Sequence, residues 1–454
     1  MLFLRPFQQL SLVFFIFLFL VSIQPAKAST PAQTRQAIAT LDQAIDEILN
    51  KNVQPGCPSE RTKPPGIALA LKFGKDEAVQ LYEAGSLDPE CDKEERRDQP
   101  VKMDPKKLVE IGSVSKMVTA AALLRLKQEN HRDFDLDQNV YYFLGGIAEF
   151  HGVHPTATVR HLMNQTAGTG RFPSSISSAT PRTGLSHLAL GAQNGESGDF
   201  GYSPVKDPPP ECNDEGKGLK FWTTTEVLTK LQNPYHAVAG TEFAYSNGNW
   251  LFLDLIWKLM ANSHDFDESM ELLFREPQGL NDLYYPSHKM FDTERLAVGW
   301  HGNKRVRPDC RMAYYSGYGV SGGMVASPED ITTFMYNLLA TDRVLNKRSQ
   351  EIMQQWVDVD NTNLPGAEFL TWEQYGLGLI RYRLEMPLMV SFDLIGHGGA
   401  TAYFVCNVLS IPELDVAMGL FFNHGQEDVI MDRLMSLTRD IALILWFNRS
   451  GLAS

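Results

Sequence analysis

The placement of two β-rich segments at opposite ends of the chain constrains the fold most. Near the start, β-rich runs at 67–73 and 79–84 are separated by a Gly-Lys-Asp tripeptide, a pattern typical of an antiparallel hairpin. Near the end, apolar runs predict four more strands. These strands are at 375–381, 389–395, 401–409 and 415–422. One sheet can use both segments only if the residues between them form an insertion.

Helical patterns accompany both β segments. Apolar residues recur at helical spacing in 34–51, which predicts an amphipathic helix before the hairpin. Further helices are predicted at 328–338 and 429–447. From about 133 to 286, helices alternate with long loops, and the longest loop, 168–220, has a length that is usually functional. The α-rich middle is therefore interpreted as an insertion between two α/β segments.

The first 28 residues have the three parts of a secretory signal. Arg5 precedes an apolar run at 10–23, and Ala-Lys-Ala at 26–28 predicts cleavage after Ala28. The alternative is an uncleaved membrane anchor, but the apolar run falls short of the roughly 20 residues that span a bilayer. We therefore expect an exported protein, periplasmic or secreted, with no stable membrane span after cleavage of the signal.

Acidic residues outnumber basic ones. The formal net charge is −13, and it becomes −15 when Arg5 and Lys27 leave with the signal. An acidic surface disfavours nucleic acid and anionic membranes as partners, and solubility is its simplest explanation. The expected partner is a small-molecule or peptide substrate, and the sequence leaves the oligomeric state open.

The five cysteines are far apart and form no Cys-x-x-Cys pair, so the sequence predicts neither a zinc nor a redox site. Export permits disulfides. Cys57 and Cys91 flank the predicted hairpin and are predicted to form one disulfide. Cys212 and Cys310 lie in polar loops and are predicted to form the other. Cys406 lies in an apolar strand pattern and is predicted to be a buried free thiol.

A serine stands three residues before a lysine in the sequence EIGSVSK at 110–116, where a short apolar strand precedes an Ala/Leu-rich helix. Residues i and i+3 share a helix face, so the side chains of Ser113 and Lys116 are expected side by side. The helix N-terminus favours negative charge at Ser113. An ordinary lysine pKa of about 10.4 must fall, through desolvation or a neighbouring cation, before Lys116 can act as a base.

Two later motifs supply further polar groups. The sequence GTEFAYSNGN at 240–249 places the phenol of Tyr245 and the carboxamide of Asn247 on a loop before a predicted helix. The sequence GHGGAT at 396–401 combines His397 with glycines that would let a substrate backbone approach a strand edge. A Ser-x-x-Lys tetrad alone recurs by chance, whereas three such elements in one order form a more specific signal.

In this order and spacing, the three motifs resemble the penicillin-recognising serine hydrolases, which include class C β-lactamases, D-alanyl-D-alanine carboxypeptidases, esterases and D-amino-acid peptidases. Stretches at 158–168, 274–280 and 322–330 look like the same family. The resemblance implies a β-lactamase/transpeptidase-like fold of the α/β (α+β) class, with a mixed, mostly antiparallel sheet flanked by helices and an α-rich inserted domain. The expected division is a signal at 1–28, a discontinuous sheet domain at 34–127 and 311–450, and the inserted domain at 128–310.

The resemblance also implies roles for individual residues. Ser113 would be the nucleophile, and Lys116 and Tyr245 the proton-transfer groups, with the identity of the working base left open. The backbone N–H groups of Ser113 and Ala400 would form the oxyanion hole. The implied reaction needs no cofactor and no metal. The residues expected to bind substrate are Asn247, His397, Gly398, Gly399 and Thr401.

His397 departs from the β-lactamase pattern, which has Lys-Thr-Gly at this place. A permanent cation helps to hold the carboxylate of penicillins, whereas a histidine is mostly neutral at pH 7. This substitution favours a D-alanyl-D-alanine carboxypeptidase or D-amino-acid peptidase, on a level with an esterase, over a true β-lactamase. The substrate could then derive from peptidoglycan. The alternative of another class is a non-catalytic relative that binds peptidoglycan or a protein.

Other patterns are less specific. The Gly-x-Ser-x-Gly at 319–323 fits a nucleophile elbow, but no buried strand precedes Ser321 and no helix directly follows, so we expect a loop that lines the cleft. His151 and His154 have no carboxylate at ligand spacing and do not predict a metal site. His161, on a short amphipathic helix, is interpreted as structural.

Overall fold

A computed structural model describes 31–54, 63–88, 101–129, 133–169, 223–229, 237–263, 266–285, 293–301, 304–305, 311–312, 316–363, 370–386, 390–425 and 428–449. The strands are β1 (Gly66–Phe73), β2 (Val79–Asp88), β3 (Val101–Lys102), β4 (Val109–Glu110), β5 (Leu283–Tyr284), β6 (Trp300–His301), β7 (Lys304–Arg305), β8 (Val325–Ala326), β9 (Val357–Asn363), β10 (Leu370–Tyr375), β11 (Ile380–Met386), β12 (Val390–Ala400), β13 (Val405–Ile411) and β14 (Val416–Phe422). The α-helices are α1 (Pro31–Asn52), α2 (Ser115–Gln128), α3 (Val140–Leu144), α4 (Gly146–Phe150), α5 (Val159–Met163), α6 (Thr224–Thr229), α7 (Asn247–Ala261), α8 (Phe266–Met270), α9 (Glu276–Gln278), α10 (Pro328–Ala340), α11 (Lys347–Met353) and α12 (Asp428–Arg449).

Nine strands form one sheet in the order β3-β2-β1-β14-β13-β12-β11-β10-β9. Every neighbouring pair in it is antiparallel. The two ends of the chain meet inside the sheet, because β1 pairs with β14 and places Leu69 opposite Leu420. The predicted sheet flanked by helices is therefore confirmed. The division into domains stays a prediction.

Both faces of the central strands are covered, and all eight residues of β1 are buried. Ile67 and Leu69 point to a layer formed by α1 and α12, where Ile45 and Leu434 belong to the same apolar cluster. Ala68, between them, points to the opposite layer with α2 and α10. Each large apolar side chain buried in this way stabilises the fold by about 1.5–3 kcal/mol. The second layer is the one that carries the active-site helix.

The structure confirms several predicted elements and corrects others. The hairpin of β1 and β2 and the helices α1, α10 and α12 were expected. The predicted strand at 375–381 is wrong, because Tyr375 ends β10 and Ile380 begins β11. The turn between them contains Gly378 at φ 74°, where a Cβ atom would lie 2.8 Å from the backbone oxygen of Lys116. Packing against α2 thus interrupts an apolar run that sequence periodicity cannot divide.

Two further differences concern strands near the site. The strand predicted at 401–409 begins only at Val405, since 401–404 form the turn after β12. β9 was not predicted, because its sequence VDVDNTN is mostly polar. It lies at the edge of the sheet beyond β10, where one side of the strand has no neighbour in the described structure.

Some predictions concern residues that the structure does not describe. These are the signal at 1–28, the proposed disulfide cysteines at 57, 91, 212 and 310, and residues 170–220 of the long loop. Among the described residues, Cys406 is buried and free, as predicted. No helix in the described ranges combines the length and apolarity that a membrane span requires.

Candidate active site

Ser113 lies between a short strand and a helix. It occupies a 3₁₀ turn, Gly112–Val114, that follows β4, and α2 begins only at Ser115. The hydroxyl of Ser115 fixes this turn, since it donates to the backbone oxygen of Gly112 and accepts from the N–H of Met324. Ser113 therefore precedes the helix that was expected to carry it. Even so, Lys116 in the first turn of α2 lies beside it, as the i, i+3 spacing predicted.

The amine of Lys116 is held by three oxygen atoms. Its Nζ lies 2.8 Å from Ser113 Oγ, 2.7 Å from Asn247 Oδ1 and 2.6 Å from the backbone oxygen of Ser321. The last two atoms can only accept hydrogen bonds, whereas a serine hydroxyl can also donate. A neutral amine has two N–H groups for the two acceptors and one lone pair for the proton of Ser113. The geometry thus allows a neutral Lys116 to accept the proton of Ser113.

Burial supports the same protonation state. Lys116 is completely inaccessible to solvent. Desolvation lowers its pKa well below the usual value of 10.5, because a buried ammonium loses its hydration. Sequence analysis required such a lowering, and the structure supplies it through burial, with no need for a second cation.

Tyr245 lies on the other side of the pair. Its ring centroid is 5.0 Å from Lys116 Nζ, and its hydroxyl is buried beside the hydroxyl of Ser113. Burial raises the pKa of Tyr245, while the nearby Ser113 hydroxyl lowers it by a smaller amount. The phenol is therefore protonated at neutral pH and lies next to Ser113.

Asn247 begins α7 directly after the N-cap residue Ser246. It is one of the residues expected to bind substrate. In the structure its oxygen accepts from Lys116, so only its amide nitrogen remains to donate to a substrate. Asn247 thus contributes to the placement of Lys116, a contact that the spacing of the motifs did not predict.

Gln165 is a residue of the site that sequence reasoning missed. Its side chain is fully buried, and Oε1 accepts from the N–H of Ser246 at 3.0 Å and from Asn249 Nδ2 at 2.6 Å. These bonds hold the loop that carries Tyr245 and Asn247. Gln165 lies within the family-like stretch 158–168, which is the only signal in the sequence. Its partners are too distant along the chain to be inferred from spacing.

The third motif forms the end of β12. The pairing of β12 with β11 stops at Gly396, whereas its pairing with β13 continues to Ala400. One side of 397–400 therefore has no strand partner in the described structure. Such an edge can bind an extended substrate by backbone hydrogen bonds. This arrangement agrees with the expectation of a strand edge beside the nucleophile.

The glycines of this motif have a packing role, and their contact with substrate stays a prediction. A Cβ atom on Gly399 would lie 2.0 Å from the backbone oxygen of Ile111, and one on Gly398 would lie 2.9 Å from Asn407 Oδ1. A Cβ atom added to Gly112, whose φ is 50°, would lie 2.6 Å from Ala400 N. Gly112 and Gly399 thus allow the turn that carries Ser113 to pack against β12, whereas Gly398 makes room for the side chain of Asn407 on β13. Close approach of a substrate is not needed to explain them.

We expect a Gly399→Ala substitution to lower both stability and activity. The new methyl group would overlap the backbone at Ile111, two residues before Ser113. Such overpacking costs about 1–3 kcal/mol, which urea denaturation would measure. The control is Gly146→Ala, because no atom lies within 4 Å of that Cβ position. A Gly399→Ala protein as stable and active as the control would contradict the close contact.

His397 is buried inside the fold. Its Nδ1 is 2.6 Å from the backbone oxygen of Gly398, which can only accept, so Nδ1 carries the hydrogen. Nε2 then accepts from the hydroxyl of Tyr375 at 3.2 Å. Burial, together with the nearby Lys116, lowers the pKa of His397 to about 3. The ring is therefore neutral at pH 7 and supplies no cation for a substrate carboxylate, and its contact with substrate stays a prediction.

Thr401 was expected to bind substrate, but the structure gives its hydroxyl other partners. Oγ1 donates to Glu110 Oε2 at 2.8 Å and accepts from the backbone N–H groups of Tyr403 and Phe404. A threonine hydroxyl has one proton, and here it is used inside the protein. Thr401 therefore organises the turn after β12.

The remaining patterns have structural explanations. Ser321 ends a 3₁₀ segment, Ser316–Ser321, and its hydroxyl donates to the backbone oxygen of Tyr318. The strand, turn and helix of a nucleophile elbow are not formed around it. His161 completes a capping box with Thr158, as a structural histidine would. The described residues contain no cluster of three potential metal ligands.

Comparisons with known proteins agree with this architecture. The Beta-lactamase family model matches residues 65–440. The D-amino acid amidase from Ochrobactrum anthropi SV3, complexed with L-phenylalanine amide, is similar with a TM-score of 0.65 and 20% identity over 91% of this chain and 100% of that chain. The D-stereospecific amidohydrolase from Streptomyces sp. has a TM-score of 0.60 and 19% identity over 86% of this chain and 98% of that chain.

A third similar structure is the octameric penicillin-binding protein homologue from Pyrococcus abyssi. Its TM-score is 0.61 and its identity is 20%, over 89% of this chain and 77% of that chain. At such identities the solved structures establish the fold alone. The family model matches most of the sequence and therefore establishes the family. The chain therefore belongs to the Beta-lactamase family and is a serine hydrolase with the β-lactamase/transpeptidase-like fold.

Proposed function

We propose that the protein is an exported hydrolase that cleaves an amide or ester through an acyl-enzyme on Ser113. The hydrogen bonds of Lys116 carry this proposal. Two obligate acceptors, Asn247 Oδ1 and the backbone oxygen of Ser321, lie within hydrogen-bonding distance of its Nζ, and the hydroxyl of Ser113 lies 2.8 Å from the same atom, close enough to give its proton to a neutral amine. A surface lysine would be protonated and could not remove that proton.

In the proposed reaction, Ser113 Oγ attacks the substrate carbonyl and Lys116 takes the hydroxyl proton. The negative charge on the carbonyl oxygen is stabilised by the backbone N–H groups of Ser113 and Ala400. The proton passes from Lys116 by way of Tyr245 to the departing amine or alcohol as the bond to the acyl carbon breaks. A water molecule then attacks the carbonyl carbon of the acyl-enzyme. Its proton passes through the same groups to Ser113 Oγ as the ester bond breaks and the acid is released.

Charge guides the choice of substrate. His397 is neutral at pH 7, and the bonding of Lys116 favours its neutral form, so neither residue provides a permanent positive charge for a carboxylate. This favours neutral amides and esters over penicillins. The structural relatives support the amide class, since two of them are a D-amino acid amidase and a D-stereospecific amidohydrolase. We therefore propose D-amino-acid amides as the preferred substrates, and D-alanyl-D-alanine peptides, which carry a C-terminal carboxylate as penicillins do, as the alternative within the peptidase class.

A substrate panel tests this proposal. We expect kcat/KM for D-amino-acid amides to exceed that for nitrocefin by about 100-fold, a difference of roughly 2.7 kcal/mol in transition-state binding. The panel includes L-amino-acid amides as the stereochemical control, D-alanyl-D-alanine peptides and p-nitrophenyl acetate. A preference for nitrocefin would identify a true β-lactamase, and a preference for p-nitrophenyl acetate an esterase.

Labelling identifies the nucleophile independently of the substrate. A fluorophosphonate is expected to react with the native protein, and peptide mapping should find the label on Ser113. Absence of any label and of any turnover would favour the non-catalytic, binding alternative.

A further inference from the structure

A buried ion pair next to the site has no part in the proposed reaction. Arg311 is fully enclosed, with Nη1 at 3.3 Å from Glu110 Oε1 and Nη2 donating to the backbone oxygen of Ala297 at 2.8 Å. Its guanidinium lies above the rings of Tyr403 and Phe404, at 5.7 and 5.4 Å from their centroids. Burying two charges in this way is expensive compared with burying apolar side chains.

The position of this pair in the chain is informative. Glu110 ends β4, three residues before Ser113, and its second oxygen accepts from the hydroxyl of Thr401 at 2.8 Å. Thr401 directly follows Ala400, the other proposed oxyanion donor. A side-chain bridge thus joins the turn that carries the nucleophile to the end of β12.

The backbones at both ends of the bridge are already in close contact. A Cβ atom on Gly112 would lie 2.6 Å from Ala400 N, and one on Gly399 would lie 2.0 Å from the backbone oxygen of Ile111. Close packing prevents the two segments from approaching further, but it does not prevent them from separating. The hydrogen bond between Thr401 and Glu110 opposes that separation.

We propose that Glu110, Arg311 and Thr401 are positioning residues for the oxyanion hole: they set the distance between the backbone N–H groups of Ser113 and Ala400. The inference rests on the proposed function. Arg311 faces the carboxylate of Glu110 at ion-pair distance and balances its charge, Glu110 accepts a hydrogen bond from Thr401, and Thr401 holds the strand end at Ala400. Two donors must both lie at hydrogen-bonding distance from one oxyanion, so a small widening of the gap weakens the second bond.

Thr401→Val and Thr401→Ser provide the test, because valine keeps the shape without the hydroxyl and serine keeps the hydroxyl. For Thr401→Val we expect kcat per titrated active site to fall about 10- to 100-fold, with KM nearly unchanged. Thr401→Ser should retain most of the wild-type kcat. Fluorophosphonate titration counts competent sites, so loss of folded protein is not mistaken for loss of kcat.

The matched control is Thr332→Val. Thr332 is also a fully buried threonine, and its hydroxyl donates to the backbone oxygen of Pro328 in α10, away from the site. We expect this variant to lose stability but to keep wild-type kcat. A loss of kcat equal to that of Thr401→Val would overturn the proposal, since it would reflect the general loss of a buried hydroxyl.

Crystal structures of the Thr401 variants give a readout that does not depend on turnover. The distance between the backbone nitrogens of Ser113 and Ala400 should increase in Thr401→Val and stay unchanged in Thr401→Ser. An unchanged distance in Thr401→Val, or wild-type kcat per titrated site, would overturn the positioning role. If the fluorophosphonate does not label Ser113 in the wild-type protein, the proposed function fails. The distance between the backbone nitrogens of Ser113 and Ala400 in the two variants then decides by itself whether Thr401 sets their separation.

Discussion

The Ser113→Ala variant should lose about 10⁴-fold or more in kcat for the preferred amide, because the proposed acyl-enzyme forms on the hydroxyl that this substitution removes. Lys116 and Tyr245 would remain in place, but they have no nucleophile to deprotonate. Steady-state kinetics with the best substrate of the panel measures the loss. Intact-protein mass spectrometry should show no fluorophosphonate adduct on this variant.

Ser321→Ala is the matched control for this prediction. The hydroxyl of Ser321 donates to the backbone oxygen of Tyr318, whereas its contact with Lys116 is made by the backbone oxygen, which alanine retains. We expect activity within about tenfold of wild type, since only a neutral hydrogen bond is lost. Activity that survives Ser113→Ala and disappears in Ser321→Ala would transfer the nucleophile to the Gly-x-Ser-x-Gly segment.

The second large effect is expected for Lys116→Met. Methionine is similar in length and apolar, but it cannot accept the proton of Ser113. General-base catalysis by a positioned group contributes about 10²- to 10⁴-fold, and kcat should fall by such a factor. The rate of fluorophosphonate labelling should fall with it, because acylation is the step that needs the base. Labelling at the wild-type rate would assign the base role to another group, with Tyr245 as the nearest candidate.

The same variant should change how stability depends on pH. Burial lowers the pKa of Lys116 in the folded protein from 10.5, its value in the unfolded chain. Below the folded-state pKa both states hold the proton, and the buried charge destabilises the fold. Between the two pKa values only the unfolded chain keeps the proton, so folding becomes more favourable as pH rises, by up to about 1.4 kcal/mol per pH unit. Above 10.5 both states are neutral and the penalty is absent.

Urea denaturation at several pH values between 7 and about 10 measures this effect. Wild type should gain stability relative to Lys116→Met as pH rises through this window. Ser113→Ala, which is inactive but keeps Lys116, should behave as wild type does. If the stabilities of wild type and Lys116→Met change in parallel with pH, Lys116 is not desolvated as the structure indicates.

Local sequence patterns predicted much of the fold. The two-residue period and short turn predicted the hairpin of β1 and β2, and helical spacing predicted α1, α10 and α12. The strand at 375–381 failed because an apolar run carries no sign of the turn at Gly378, which forms against Lys116. Local periodicity reports which side chains are apolar. It does not report which distant segment the chain packs against.

The candidate site was predictable to a similar extent. The motifs indicated Ser113, Lys116 and Tyr245 as neighbours, and the structure brings them together. The partners of Asn247 and Thr401 were not predictable, because they lie on other segments of the chain. Gln165 was missed for the same reason.

The sequence by itself determined that Ser113 and Lys116 are neighbours, since three residues of spacing bring the two side chains together across the 3₁₀ turn and the first turn of the helix that follows it. The tertiary structure decided whether the lysine can act as a base. Its burial, and the oxygen atoms of Asn247 and Ser321 that accept its two N–H groups, depend on segments far along the chain. Desolvation and hydrogen bonding both follow from packing, so only the folded chain specifies the protonation state on which this chemistry depends.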